Sequence, residues 1–156
     1  MILGVDPGVR KLGYALIEED LIIVDAGILL QQKVSPNRGD QFERISQIFD
    51  FFEKLIEKQN ITKVGIEKLF FTSHNQNNAE FVYGIRGALM MLFVRKGIPV
   101  QEFTPIEVKK YLTNNGKADK MLVQKVIMRV FKLQELPQFN DAADALGMAY
   151  LALKKK

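Results

Sequence analysis

The sequence predicts an α/β protein built on a mixed five-stranded sheet, with three antiparallel strands followed by parallel ones and helices flanking the sheet. Three observations carry that expectation. The first third of the chain holds short apolar runs separated by turns, and the rest alternates amphipathic stretches with further short apolar runs. No repeat, low-complexity tract or linker-like stretch interrupts the 156 residues, so 1–156 reads as a single domain. Strands joined by short turns pair antiparallel, whereas strands separated by a helix pair in parallel through right-handed crossovers.

The elements follow in order. "MILGVD" is a first strand, and "GYALIEEDLIIVDAGILL" supplies two more around the acidic turn Glu18-Glu19-Asp20. "DQFERISQIFDFFEKLIEKQN" is an amphipathic helix with Phe42, Ile45, Ile48, Phe49, Phe52, Leu55 and Ile56 on one face, and Asp40 with Glu43 as a capping pair. "ITKVGIE" is a buried strand ending at Glu67. The spacing of Phe81, Val82, Ile85, Leu89, Leu92 and Phe93 predicts a helix over Ala79 to Arg95. Gly84 and Gly87 lower its helix propensity, which close packing against a neighbour explains. "IPVQEF" is a further short strand. "TPIEVKKYL" opens a helix with Thr104 as N-cap, Pro105 in the first turn and Glu107 closing a capping box. A loop, "NNGKADK", leads to a helix over Leu122 to Phe131. The closing helix carries Ala142, Ala145, Leu146, Ala149, Ala152 and Leu153 as one buried stripe.

Composition narrows the function classes. The chain has no cysteine, which excludes disulfides and thiolate zinc sites. Its start lacks a basic leader, and no apolar run is long enough to span a membrane, so a cytoplasmic protein is expected. The net charge of +4 permits a polyanionic partner. Basic residues gather in "KKYLTNNGKADKMLVQK" and "LKKK", while several acids stand among apolar neighbours. An acidic site on a basic protein suits a metal-dependent enzyme acting on nucleic acid. For each lysine cluster a solvated face is the plainer alternative.

Those acids close or open buried elements. Asp6 ends the first strand, Glu67 ends the fourth, and Asp141 and Asp144 open the last helix. If the first and fourth strands are parallel neighbours, Asp6 and Glu67 meet at the carboxyl end of the sheet, where ligands of open α/β sheets bind. Asp141 and Asp144 stand about 60° apart around the helix axis. Any one of these acids alone reads more simply as a cap, turn or surface group. Together, four converging carboxylates would repel one another, and hard Mg²⁺ or Mn²⁺ ions resolve that conflict. A pair of such ions about 3.5–4 Å apart serves phosphodiester cleavage.

"ILGVDPGVRKLGYALI", "VGIEKLFF" and "PQFNDAADALGMAY" resemble, in order and over nearly the whole chain, the motifs of RuvC-type Holliday junction resolvases of the ribonuclease H-like superfamily. The resemblance implies a ribonuclease H-like fold and matches Asp6, Glu67, Asp141 and Asp144 each to a family catalytic acid. It implies two Mg²⁺ ions per active site, with Mn²⁺ able to substitute. It also implies a homodimer that binds four-way junction DNA and makes paired symmetric nicks near the crossover. The nicks fall at a short T-containing sequence and leave 5′-phosphate and 3′-hydroxyl ends. Work alongside the RuvAB branch-migration complex, in recombination and repair at the bacterial nucleoid, follows from the same resemblance.

In the family an aromatic after the catalytic glutamate stacks at the unpaired bases of the crossover, which puts Phe70 forward for that role and leaves Phe71 open between stacking and core. Lys109 and Lys120 match family positions near the scissile strand, and Arg86 and Lys117 join them as candidate phosphate contacts. His74, the single histidine, reads as a loop residue. The helix with Gly84 and Gly87 is the candidate dimer face.

Three alternatives share features of this sequence. The hairpin "GVDPGVRKLGYALI" also resembles the phosphate hairpin of actin-like ATPases and sugar kinases, which need a second lobe that is not here. A ribonuclease H-like nuclease trimming ribosomal RNA precursors would share the first hairpin and the acidic site. A junction-binding module without catalysis would carry a neutral residue at one of the acidic positions, and none does.

Overall fold

The computed structural model describes residues 1–8, 11–30, 38–69, 79–135 and 140–155, apart from the side chains at 30, 38, 140 and 141. Its elements are β1 (Ile2–Asp6), β2 (Lys11–Ile17), β3 (Ile23–Leu30), α1 (Arg38–Lys58), β4 (Lys63–Glu67), α2 (Ala79–Arg95), β5 (Val100–Phe103), α3 (Pro105–Thr113), α4 (Lys120–Val130) and α5 (Asn140–Lys154). The strands lie in the order β3-β2-β1-β4-β5. The pairs β1–β2 and β2–β3 are antiparallel, and β1–β4 and β4–β5 are parallel. This is the mixed sheet that the turn and crossover rules predict.

Alternation along the strands builds two cores. Leu3, Val5, Leu16, Val64 and Ile66 point to one face, where Ile48 and Phe52 of α1 and Ile85, Leu89 and Phe93 of α2 cover them. Ile2, Ala15, Ile17 and Phe103 point to the other, under Leu146 and Ala149 of α5, Val108 of α3 and Ile127 of α4. The closing helix differs from expectation here. Beyond the expected stripe, Ala143, Met148 and Leu151 are also buried, because α5 is packed between the sheet and α3 and α4. A helix that is apolar nearly all round is a buried one.

Local signals fix several element starts. The Thr104 hydroxyl accepts from the Glu107 N–H at 3.1 Å, and the Glu107 carboxylate accepts from the Thr104 N–H at 2.8 Å, which is the expected capping box. Among the described residues the second capping pair, Asp40 with Glu43, does not form. Helix α1 begins at Arg38, so Asp40 lies inside its first turn and pairs instead with Arg44 one turn on, at 3.1 Å. Phe42, expected on the buried face, is exposed. Helix α4 starts at Lys120 rather than Leu122, because Asp119 caps it by accepting from the Leu122 N–H at 2.7 Å. Gly84 packs against α1, where an added Cβ would lie 2.9 Å from Ile45 Cδ1. At Gly87 an added Cβ meets nothing within 4 Å among the described residues. Among the described residues no helix is long and apolar enough to cross a membrane.

Tyr14 joins β2 to β3 through its hydroxyl, which donates to Asp25 Oδ2 at 3.2 Å, while its ring meets Phe51 edge-on at 5.0 Å. Burial, then the Asp25 charge and hydrogen bond, push its pKa up to about 12 from 10.0. The neutral phenol is therefore the form the fold favours, and its contribution is complete below pH 10 and lost as pH rises towards 12. Tyr14→Phe is expected to destabilise the protein by about 1 kcal/mol at pH 8. That deficit should shrink between pH 10 and 12, as urea midpoints of the two proteins would show. A constant deficit across the range would mean that the phenol does not titrate with unfolding.

Candidate active site

The parallel ladder between β1 and β4 pairs Gly4 with Gly65 and Val5 with Ile66, so Asp6 and Glu67 emerge side by side at the carboxyl end of the sheet. Asp6 shares a face with Gly4, and Glu67 with Gly65, because alternate strand residues point the same way. That is the face α5 covers. Its backbone comes so near the two glycines that an added Cβ would lie 1.9 Å from the Ala145 oxygen at Gly4 and 2.4 Å from the Met148 oxygen at Gly65. Asp144 directly precedes Ala145, which brings its carboxylate over the ends of β1 and β4.

Asp6, Glu67 and Asp144 line one cavity of about 250 Å³. Pro105, Val108 and Lys109 of α3, Lys120 and Val123 of α4, and Met148 of α5 complete the lining. Asp141 sits on α5 one turn before Asp144, and its side chain lies outside the described residues. Burial pushes the Glu67 carboxyl above its usual range; a hydrogen bond with Asp6 opposes that rise, and the charge on Asp144 adds to it. Lys120 Nζ stands 3.8 Å from Asp144 Oδ2.

The chemistry of these donors fits a hard divalent cation: they are all oxygen, they are anionic, and their mutual repulsion is relieved by positive charge. Among the described residues no three acids already form a closed ligand set. Lys120 meets part of the demand for positive charge at Asp144.

The other candidate residues divide three ways. Lys109 and Lys120 reach the cavity. Lys117 is exposed in the turn before α4, where its N–H donates to Asn115 Oδ1 at 2.9 Å. Arg86, expected at a phosphate, turns inward instead: it pairs with Glu102, and its Nε donates to the Glu67 carbonyl oxygen at 3.5 Å. Phe70, Phe71 and His74 lie outside the described residues. The sequence reading missed Glu102 altogether. Its only signal was an acid within the short strand "VQEF".

A mixed five-stranded sheet with carboxylates gathered at its carboxyl edge under a buried helix forms an acidic cavity of the kind that suits divalent-cation chemistry. Comparison with known proteins makes the class specific. Residues 2–151 match the family model described as crossover junction endodeoxyribonuclease RuvC. The RuvC of Roseiflexus sp. (strain RS-1) is 34% identical over 94% of this chain and 86% of its own length. That of Synechococcus sp. (strain WH7803) is 35% identical over 95% of this chain and 94% of its own. Among solved structures, Thermus thermophilus RuvC in complex with Holliday junction substrate matches with a TM-score of 0.79 and 25% identity, over 95% of this chain and 88% of that one. The chain belongs to the RuvC family of crossover junction endodeoxyribonucleases. Nucleases of this family are metal-dependent.

Proposed function

We propose that this chain resolves four-way DNA junctions by paired symmetric nicks, with Asp6, Glu67, Asp141 and Asp144 as the acids that hold the metal. One observation carries the reading: carboxylates from β1, β4 and α5, far apart in sequence, line a single cavity rimmed by Lys109 and Lys120. The acids would hold Mg²⁺, two ions per site, with Mn²⁺ able to substitute. When bound, such ions activate water and stabilise the leaving oxygen of a phosphodiester.

The chain's own residues do the rest. Asp6 and Glu67 stand side by side at the ends of β1 and β4, so both carboxylates face the place in the cavity where a cation would sit. Lys109 and Lys120 offer ammonium groups to the scissile phosphate from the two helices that face the acids. Lys117 takes a phosphate further along the strand. Such contacts position the backbone without reading bases. Phe70, three residues beyond Glu67, stacks on an unpaired base at the crossover, an interaction worth about 1–3 kcal/mol; Phe71 is its neighbour in that segment. The products carry 5′-phosphate and 3′-hydroxyl ends that a ligase can seal.

A homodimer accounts for two nicks in one event. Tyr83, Met91 and Val94 leave exposed apolar surface on the outer side of α2, away from Gly84 and its contact with α1, and that side is the dimer face in this reading. The resolvase works with the RuvAB branch-migration complex at the cytoplasmic nucleoid. The test is cleavage with Mg²⁺ of a labelled synthetic junction beside a linear duplex and an RNA hairpin. Paired nicks with ligatable ends in the junction alone are expected. Cutting of the RNA would assign the protein to RNA processing, and tight junction binding without cutting in Mg²⁺ or Mn²⁺ would overturn the catalytic reading.

A further inference from the structure

We infer that Arg86, held by Glu102, is a positioning residue that sets the Glu67 main chain, and with it the direction of the Glu67 carboxylate; this rests on the proposed role of Glu67 in holding metal. Glu67 is the last residue of β4, and its neighbours support it unevenly. On the β5 side the ladder runs past it, since Glu67 pairs with Phe103 and the Lys68 N–H donates to the Phe103 carbonyl at 2.8 Å. On the β1 side the pairing stops one step earlier, at Val5 with Ile66. The peptide that carries the carboxylate is thus fixed along one edge only by the sheet.

Arg86 supplies the missing hold from α2. Its Nε donates to the Glu67 carbonyl oxygen at 3.5 Å, and its guanidinium pairs with Glu102, the residue opposite Ile66 on β5. One planar group therefore ties α2, the end of β4 and β5 together within a residue of the site. A contact to a DNA phosphate needs an open guanidinium, whereas this side chain is 17% exposed and committed to two internal partners. The geometry suits a rigid fork better than a flexible ammonium. Displacing a reacting group by about 1 Å can lower a rate by about 10²-fold, so fixing the peptide that bears Glu67 has catalytic consequences without any contact to substrate. Partners that orient metal ligands from behind have effects of similar size, with roughly 10–100-fold losses of metal affinity when they are removed.

Arg86→Met keeps the aliphatic stem and removes both donations. The expected result is a fall in kcat of about 10²-fold with KM for the junction unchanged. Mn²⁺ affinity of the free protein, read by calorimetry, should drop about tenfold or more. Junction binding in metal-free buffer should match wild type. Glu102→Gln, which keeps an acceptor for the guanidinium, should move cleavage and Mn²⁺ affinity in the same direction by less. Weaker metal-free junction binding in Arg86→Met, with a shallower salt dependence, would make Arg86 a phosphate contact and overturn the inference. A lower melting temperature with kcat and Mn²⁺ affinity intact in the folded protein would also overturn it, by making the role structural. Failure of wild type to cut the junction would instead sink the functional reading, while the Mn²⁺ titrations would still report on whether Arg86 orders the acids.

Discussion

Asp144→Asn is expected to lower junction cleavage by about 10³-fold or more, equivalent to roughly 4 kcal/mol of transition-state stabilisation, with metal-free junction binding preserved. Asparagine matches aspartate in size, so α5 and its packing stay in place, and only the charge leaves the cavity. That charge matters to the whole cluster, because Asp144 is one of the groups that hold the Glu67 carboxyl above its usual range. Removing it lets Glu67 ionise more readily, yet it also removes an anionic oxygen from the donors facing a cation. Lys120, 3.8 Å from Asp144 in wild type, loses an ion-pair partner of small worth, since both side chains are partly exposed. The protein should therefore fold as wild type does, bind the junction, and fail to cut it. Single-turnover cleavage beside gel-shift binding in metal-free buffer separates these effects. A loss of metal-free binding as large as the loss of cleavage in Mg²⁺ would mean that the carboxylate shapes the DNA surface rather than holding metal.

Gly4→Ala carries the largest expected effect on stability. The new Cβ would lie 1.9 Å from the Ala145 oxygen and 2.6 Å from the Ala149 nitrogen, both backbone atoms of α5. No flexible side chain is there to move aside. Helix α5 cannot retreat either, because α3 and α4 pack on its far side and its residues from Ala145 to Ala152 are buried nearly without break. Overpacking of this kind costs about 3 kcal/mol or more, which for a chain of this length lowers the melting temperature by roughly 6–12 °C. Gly65 lies beside Gly4 across the ladder and meets the same helix, with a Cβ 2.4 Å from the Met148 oxygen, so Gly65→Ala should behave alike. Any shift of α5 also moves Asp144 away from Asp6 and Glu67, so cleavage should fall even at temperatures where the variant is folded. Calorimetric unfolding with cleavage at 25 °C reads both. A melting temperature unchanged from wild type would show that the helix and sheet can part without penalty, contrary to the packing described above.

The close approach at Gly4 and Gly65 explains how the acids meet, and it is a feature no single stretch of sequence displays. What was legible beforehand depended on short-range spacing. Helix α2 runs from Ala79 to Arg95 with the expected buried face, because apolar residues a turn apart line up whatever the helix later packs against. The Thr104–Glu107 capping box formed as its spacing implies. Asp40 misled because the same local pattern became available after the helix had already begun at Arg38, where Arg44 could reach the carboxylate. Gly84 has within the chain the close neighbour that a helix glycine suggests, whereas at Gly87 nothing among the described residues comes within 4 Å of an added Cβ.

The sequence by itself therefore determined the elements, their order, the sheet they form, and the family, through three motifs and carboxylates placed at element ends. Tertiary structure alone decided which of those groups share a cavity and which way their neighbours turn. It set Asp6 and Glu67 on the face that α5 covers, brought Asp144 over them, and turned Arg86 away from solvent onto Glu102 and the Glu67 carbonyl. The reason is range. Caps and apolar periodicity arise from residues within a turn or two of each other, whereas the orientation of Arg86 depends on Glu67 and Glu102, which reach it from separate strands only when the sheet and α2 have packed.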